Sequence, residues 1–62
     1  MSNETTTAIL DYAEMHHEFS IEDLFAYLHE RTGINRSSLS WYLFKLVDGN
    51  ALVRIGRGMY GK

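Results

Sequence analysis

The chain has 62 residues, 45% hydrophobic and 23% charged, a composition that predicts one small globular domain of marginal stability. It contains no cysteine, which excludes disulfide bonds and thiolate metal sites. Its start is polar and acidic, and no long apolar run follows. We therefore expect neither a signal peptide nor a membrane-spanning helix, and a cytoplasmic location.

The charges are divided unevenly between the two halves of the sequence. Residues 1–30 carry seven acids and no Lys or Arg, whereas residues 31–62 carry all six bases and the single acid Asp48. The halves therefore have formal charges of −7 and +5, which together give the net −2. This division predicts a molecule with a basic face and an acidic back, the alternative being chance clustering of solvated charges.

The first helix is predicted near residues 7–17, after three threonines whose hydroxyls can cap it. Ile9, Tyr12 and Ala13 recur there at helical spacing and are expected to face the core. We expect residues 1–6 to be flexible. The two residues after this helix are not periodic and predict a short stretch of extended backbone.

A helix-turn-helix is predicted next. Ser20 begins a second helix, residues 20–32, because its hydroxyl can accept a hydrogen bond from the amide three residues on. Gly33 ends that helix, and Asn35 caps a third, residues 35–48. Two helices joined by so short a segment containing glycine are typical of a helix-turn-helix.

A β-hairpin is predicted near residues 51–61, with a tight turn at Gly56-Arg57-Gly58. Three helices followed by a hairpin describe a winged helix-turn-helix. This is an α+β fold, mostly helical, that occupies residues 1–62 as a single domain. The expected core contains six leucines: Leu24, Leu28, Leu39, Leu43, Leu46 and Leu52.

Two segments carry a resemblance to known proteins. Residues 33–47, which begin Gly-Ile-Asn-Arg-Ser-Ser-Leu, resemble the second half of many bacterial winged-helix regulators. Residues 52–60, Leu-Val-Arg-Ile-Gly-Arg-Gly-Met-Tyr, resemble the N-terminal winged-helix domain of AbiEi-type antitoxins and related bacterial transcriptional regulators. The resemblance implies DNA binding by a small domain. It does not imply antitoxin activity, because those antitoxins carry a further, larger domain that these 62 residues do not include.

The second helix of a helix-turn-helix enters the major groove of DNA, with its N-terminal residues nearest the base edges. Arg36 starts that helix and can read guanine, whereas Lys45 is expected at phosphate. The hairpin bases Arg54 and Arg57 are expected near phosphate or the minor groove, with Arg57 mobile at the tip. The predicted contacts with double-stranded DNA are Arg36, Ser37, Ser38, Ser40, Trp41, Lys45, Arg54 and Arg57.

Trp41 and Phe44 lie on the side of the third helix that faces away from the predicted core. Two exposed aromatic side chains need a partner. We favour burial beneath the hairpin or in a dimer contact over contact with DNA sugars or thymine methyl groups.

Other chemistry is not expected. Residues 56–61 match the pattern G-x-G-x-x-G, but one residue follows them, so no helix can receive a pyrophosphate. His16 and His17 are adjacent and point about 100° apart on a helix, which does not suit a shared metal ion. We expect no enzyme activity, no cofactor and no metal.

Two functions stay open at this point. The first is a double-stranded DNA-binding module of a bacterial transcriptional regulator. The second is a winged helix that binds another protein without binding DNA. Convergence of the four bases on the face of the third helix would favour DNA. The alternatives for partners also include a second copy of the chain, in a homodimer, and a further domain of a longer protein.

Overall fold

The computed structural model describes residues 4–62. Its architecture is α+β and mostly helical, with three helices followed by a hairpin, and a small three-stranded antiparallel sheet. This arrangement confirms the predicted fold class and is consistent with a winged helix. The elements in chain order are α1 (Glu4–His16), β1 (Glu18–Ser20), α2 (Ile21–Thr32), α3 (Arg36–Asp48), β2 (Val53–Gly56) and β3 (Met59–Gly61).

Helix α1 begins at Glu4, three residues earlier than predicted. The three threonines therefore lie inside the first turns and do not precede them as a cap. A carboxylate in the first turn favours this start, because it interacts with the positive end of the helix dipole. Residues 4–6, which we expected to be flexible, belong to this helix, and residues 1–3 lie outside the described residues.

The starts of α2 and α3 follow the predicted caps. Ser20 Oγ accepts a hydrogen bond from the Asp23 amide at 3.1 Å, and Asn35 Oδ1 accepts one from the Ser38 amide at 2.8 Å. Gly33 ends α2 with a φ of 73°, the left-handed conformation that glycine adopts without steric cost. These local bonds fix both ends of the three-residue corner between the two helices.

Strand β1 is longer and better paired than the sequence indicated. It forms the edge of the sheet, in the order β1-β3-β2, with Glu18 opposite Gly61 and Ser20 opposite Met59. Phe19, at the centre of β1, is buried. The partner of β1 is β3, which lies some 40 residues later in the sequence, so no local pattern could indicate this pairing.

The hairpin is short and fixed to the helices. Its strands are joined by a two-residue turn, Arg57–Gly58, in which Gly58 has a φ of 70°. A bulge at Ile55 shifts the register. The Ile21 amide donates a hydrogen bond to the Gly58 carbonyl oxygen at 2.9 Å, so the turn is held against the start of α2. The mobility expected of the Arg57 side chain stays a prediction.

The core lies between the three helices and the base of the hairpin. Five of the six predicted leucines are fully buried, but Leu46 is only half-buried. Leu46 lies at the end of α3, where its carbonyl oxygen accepts a hydrogen bond from the Ala51 amide as the chain turns away. Within residues 4–62, no helix is long and apolar enough to cross a membrane. The buried core consists of Ile9, Tyr12, Ala13, Phe19, Leu24, Leu28, Leu39, Leu43 and Leu52.

Candidate nucleic-acid interface

One side of α3 is turned to solvent along the whole helix. Leu39 and Leu43 occupy the opposite side and are completely buried, which fixes the rotation of the helix about its axis. The exposed side chains recur every three to four residues, as helical geometry requires. We call five of them the α3 face: Ser37, Ser40, Trp41, Phe44 and Lys45.

Ser38 does not belong to this face, and its predicted contact with DNA stays a prediction. It lies one turn before Tyr42, and both residues are half-buried because that side of α3 turns towards the core. The backbone amide of Ser38 is the group bound by the Asn35 cap. Ser38 therefore helps to fix the start of α3 through its backbone amide.

Trp41 and Phe44 are not covered by the hairpin. Their side chains are 57% and 66% exposed, so the expected burial beneath the wing is wrong for the single chain. Phe44 lies near Arg54 and Tyr60 of the hairpin, but this proximity leaves most of its side chain exposed. Trp41 packs edge-on against Tyr42, with ring centroids 5.1 Å apart, and the Lys45 ammonium lies 5.9 Å from its ring centroid.

Arg54 lies beside the α3 face on the wing side. It is paired with Tyr60 in the β2–β3 register, so their side chains share one surface of the hairpin. A groove of about 290 Å³ separates this surface from α3. It is lined by Ser40, Phe44, Val47, Arg54 and Tyr60.

Arg36 is turned away from the α3 face. Its guanidinium group forms two hydrogen bonds with the Glu22 carboxylate of α2, with Nη2 to Oε2 at 3.0 Å and Nη1 to Oε1 at 3.4 Å. The same group lies 5.9 Å from the ring centroid of Phe25. The charge of Arg36 is therefore balanced in the folded chain, and each of its terminal nitrogens forms one hydrogen bond with Glu22.

Arg57 and Arg36 lie at the same end of α2. The turn that carries Arg57 is bonded to Ile21, and the carboxylate that binds Arg36 belongs to the next residue, Glu22. Among the residues that the structure describes, Lys45, Arg54 and Arg57 form no ion pair with a carboxylate. Lys45 lies on one side of the aromatic pair and Arg54 on the other, so two of the four predicted bases meet at the α3 face, whereas Arg36 and Arg57 lie by the start of α2.

The acidic groups are mostly on the first two helices, and Asp48 is exposed at the far end of α3. A pKa that departs clearly from its ordinary value is that of Tyr12, a residue of the core. Burial raises the pKa of the Tyr12 phenol above its ordinary 10.0, and the nearby Asp23 and Tyr27 add to the effect. Tyr12 packs against Phe19 and Tyr27 and is remote from the α3 face.

The histidines are engaged in separate local contacts. His29 Nδ1 donates a hydrogen bond to the Ile34 carbonyl oxygen at 2.9 Å, and His16 packs on the ring of Tyr12. No three His, Asp or Glu side chains within residues 4–62 come together as metal ligands.

Sequence reasoning missed two features of this site. Glu22 carries no local signal as the partner of Arg36, because the two residues lie 14 positions apart on different helices. Tyr60 was placed within the hairpin but was not recognised as a wall of the groove beside Phe44. Both contacts depend on how the helices and the hairpin pack together.

No family model, curated protein or solved structure matches this chain. The functional argument therefore depends on the α3 face, its neighbouring bases and the fold that presents them.

Proposed function

We propose that this chain is a double-stranded DNA-binding module of a transcriptional regulator, with α3 in the major groove and the hairpin beside phosphate. The observation that carries the proposal is the exposed α3 face with positive charge on both of its borders. Lys45 extends one border, and Arg54 lies across the groove on the other. A B-DNA major groove about 12 Å wide admits an α-helix and has phosphates along both edges.

The residues at the start of the α3 face suit close approach to bases. The N-terminal part of a recognition helix lies nearest the base edges, and here it presents Ser37 and Ser40, whose small hydroxyls can donate or accept. Asp48 lies at the opposite end of α3, where repulsion by phosphate is weakest if that end leaves the groove.

The uneven distribution of charge also supports this proposal. The acids are concentrated in α1 and α2, whereas Lys45 and Arg54, which pair with no carboxylate among the described residues, lie on or beside α3. Cationic side chains supply most of the affinity for DNA by releasing counterions from phosphate. With Lys45, Arg54 and Arg57 at phosphates, the slope of log K against log salt concentration should be about −2.7.

The similarity of residues 33–47 and 52–60 to bacterial winged-helix regulators, including the small domain of AbiEi-type antitoxins, agrees with this role. We extend the proposal to a bacterial cytoplasmic regulator whose activity is binding, without catalysis or a cofactor.

The test is a titration of ¹⁵N-labelled protein with a 16-base-pair duplex of mixed sequence at two or more salt concentrations. We expect weak, salt-dependent binding that shifts the amides of residues 36–45 and of the hairpin, while most amides of α1 stay in place. Lys45→Ala should flatten the salt slope by about 0.9. Lys62→Ala is the matched control, because Lys62 pairs with Glu14 of α1 and should leave the slope unchanged.

A second candidate function is supported by the exposure of Trp41 and Phe44. Aromatic side chains are enriched in the centres of protein–protein interfaces, so the same face suits a protein partner or a second copy. Absence of DNA binding at low salt, or binding that does not respond to salt, would reject the DNA proposal in favour of this one.

A further inference from the structure

The centre of the α3 face is apolar. Trp41 and Phe44 are three positions apart on one helix, which separates them by about 4.5 Å along its axis. Stacked base pairs are spaced about 3.4 Å apart, so two such side chains can address neighbouring base pairs. The only exposed apolar groups on the floor of the major groove are the methyl groups at C5 of pyrimidines.

The polar alternatives for base recognition are weak on this face. Arg36, whose guanidinium group could read guanine, is bonded to Glu22 through both of its terminal nitrogens. The hydroxyls of Ser37 and Ser40 can bond to either kind of base edge and discriminate little. Discrimination between sequences therefore depends on the aromatic side chains.

We propose that Trp41 and Phe44 read pyrimidine 5-methyl groups in the major groove, so that the preferred ligand is duplex DNA rich in thymine or 5-methylcytosine. This inference rests on the proposed DNA-binding function. Charge complementarity favours DNA over a protein as the occupant of the face, because Lys45 and Arg54 lie on opposite sides of the aromatic pair and match the two phosphate borders of a groove.

The experiment compares duplexes that differ only in the methyl group. The first pair consists of alternating A·T and A·U DNA duplexes of 16 base pairs, the second of which carries deoxyuridine in place of thymidine. The other pair consists of alternating G·C duplexes with either cytosine or 5-methylcytosine. All are used well below their melting temperatures. Trp41 is the only tryptophan, so quenching or a blue shift of its fluorescence reports binding at this site directly.

For the wild-type protein we expect the methylated member of each pair to bind more tightly, by roughly fourfold for one buried methyl group and more than tenfold for two. Trp41→Ala and Phe44→Ala, read out by anisotropy of labelled DNA, should each reduce or remove this preference. Met15→Ala is the matched control, because Met15 is an exposed apolar residue on α1 and should leave the preference intact. Lys45→Ala should weaken all four duplexes by a similar factor.

Each result has a distinct meaning. A preference for thymine over uracil without one for 5-methylcytosine over cytosine would identify thymine as the source of the methyl group. Salt-dependent binding with equal affinities within both pairs would overturn the inference and leave the DNA-binding function in place. Absence of binding to all four duplexes at low salt would overturn both. Self-association in sedimentation that Trp41→Ala abolishes would then identify a second copy of the chain as the occupant.

Discussion

The ion pair between Arg36 and Glu22 should restrain DNA binding, and this can be measured with Glu22→Gln. The substitution removes the carboxylate charge while preserving the shape of the side chain, so the Arg36 guanidinium becomes free for phosphate. The two side chains are 48% and 72% exposed. Solvent screening therefore limits the loss of folding free energy to about 0–1 kcal/mol, and the melting temperature should change little.

The gain in DNA affinity follows from counterion release. One further phosphate contact should steepen the salt slope from about −2.7 to about −3.6. At a slope of about −0.9 per contact, the added contact multiplies affinity by roughly 4 at 0.2 M salt and by roughly 15 at 0.05 M. The increase should apply to all sequences, because a phosphate contact carries no base information.

A double-mutant cycle separates the release of Arg36 from the simple loss of a negative charge. Anisotropy titrations would compare the wild type, Glu22→Gln, Arg36→Ala and the double variant. Glu22→Gln should have little effect when Arg36 is already absent, because there is no guanidinium group to release. Asp11→Asn makes the same change in charge on α1 and should produce a much smaller gain.

Two results would refute this reasoning. If Glu22→Gln increases affinity equally with and without Arg36, the carboxylate acts only by repelling DNA. If Glu22→Gln weakens binding, Glu22 positions Arg36 for contact and does not restrain it.

The remaining predictions concern stability. Leu43→Ala should lower the free energy of unfolding, measured in urea, by about 2–5 kcal/mol, which is comparable with the whole stability of so small a domain. Leu46→Ala should lower it less, because Leu46 is half-buried. Equal losses for the two variants would contradict the packing described for α3. Gly61→Ala should lower the free energy of unfolding by about 1–3 kcal/mol, because the added Cβ would lie 2.8 Å from the His17 carbonyl oxygen. An unchanged melting temperature would show that β1 and β3 separate more easily than described. The raised pKa of Tyr12 contributes stability that is present below pH 10 and is lost as pH rises through its folded pKa. The free energy of unfolding should therefore fall as pH rises above 10, and Tyr12→Phe should reduce this fall.

The helices and their limits could be predicted because their signals act over a few residues. The bond from Ser20 to the Asp23 amide and that from Asn35 to the Ser38 amide each span three positions. Gly33 adopts the left-handed conformation that its lack of a Cβ allows. The start of α1 was placed too late, because a threonine run can serve as a cap or continue a helix, and no other local feature distinguished the two.

The candidate face could also be predicted in outline. The rotation of α3 follows from the spacing of its buried leucines, which leaves Ser37, Ser40, Trp41 and Lys45 exposed. Burial beneath the hairpin, one of the two outcomes favoured for Trp41 and Phe44, does not occur in the single chain, and burial in a dimer contact stays a prediction. How much a hairpin covers depends on its length and on how it packs against the helices. Neither quantity can be read from the local pattern of apolar residues.

The sequence by itself determined three helices, the caps of the second and third, a helix-turn-helix corner, a terminal hairpin and most of the leucine core, since each depends on backbone preferences and periodicity within one element. The tertiary structure decided which distant groups meet: β1 with β3, the turn at Gly58 with Ile21, and Arg36 with Glu22. These contacts join residues 14 to 43 positions apart. Their formation depends on the packing of whole elements around the core, which no local sequence pattern encodes.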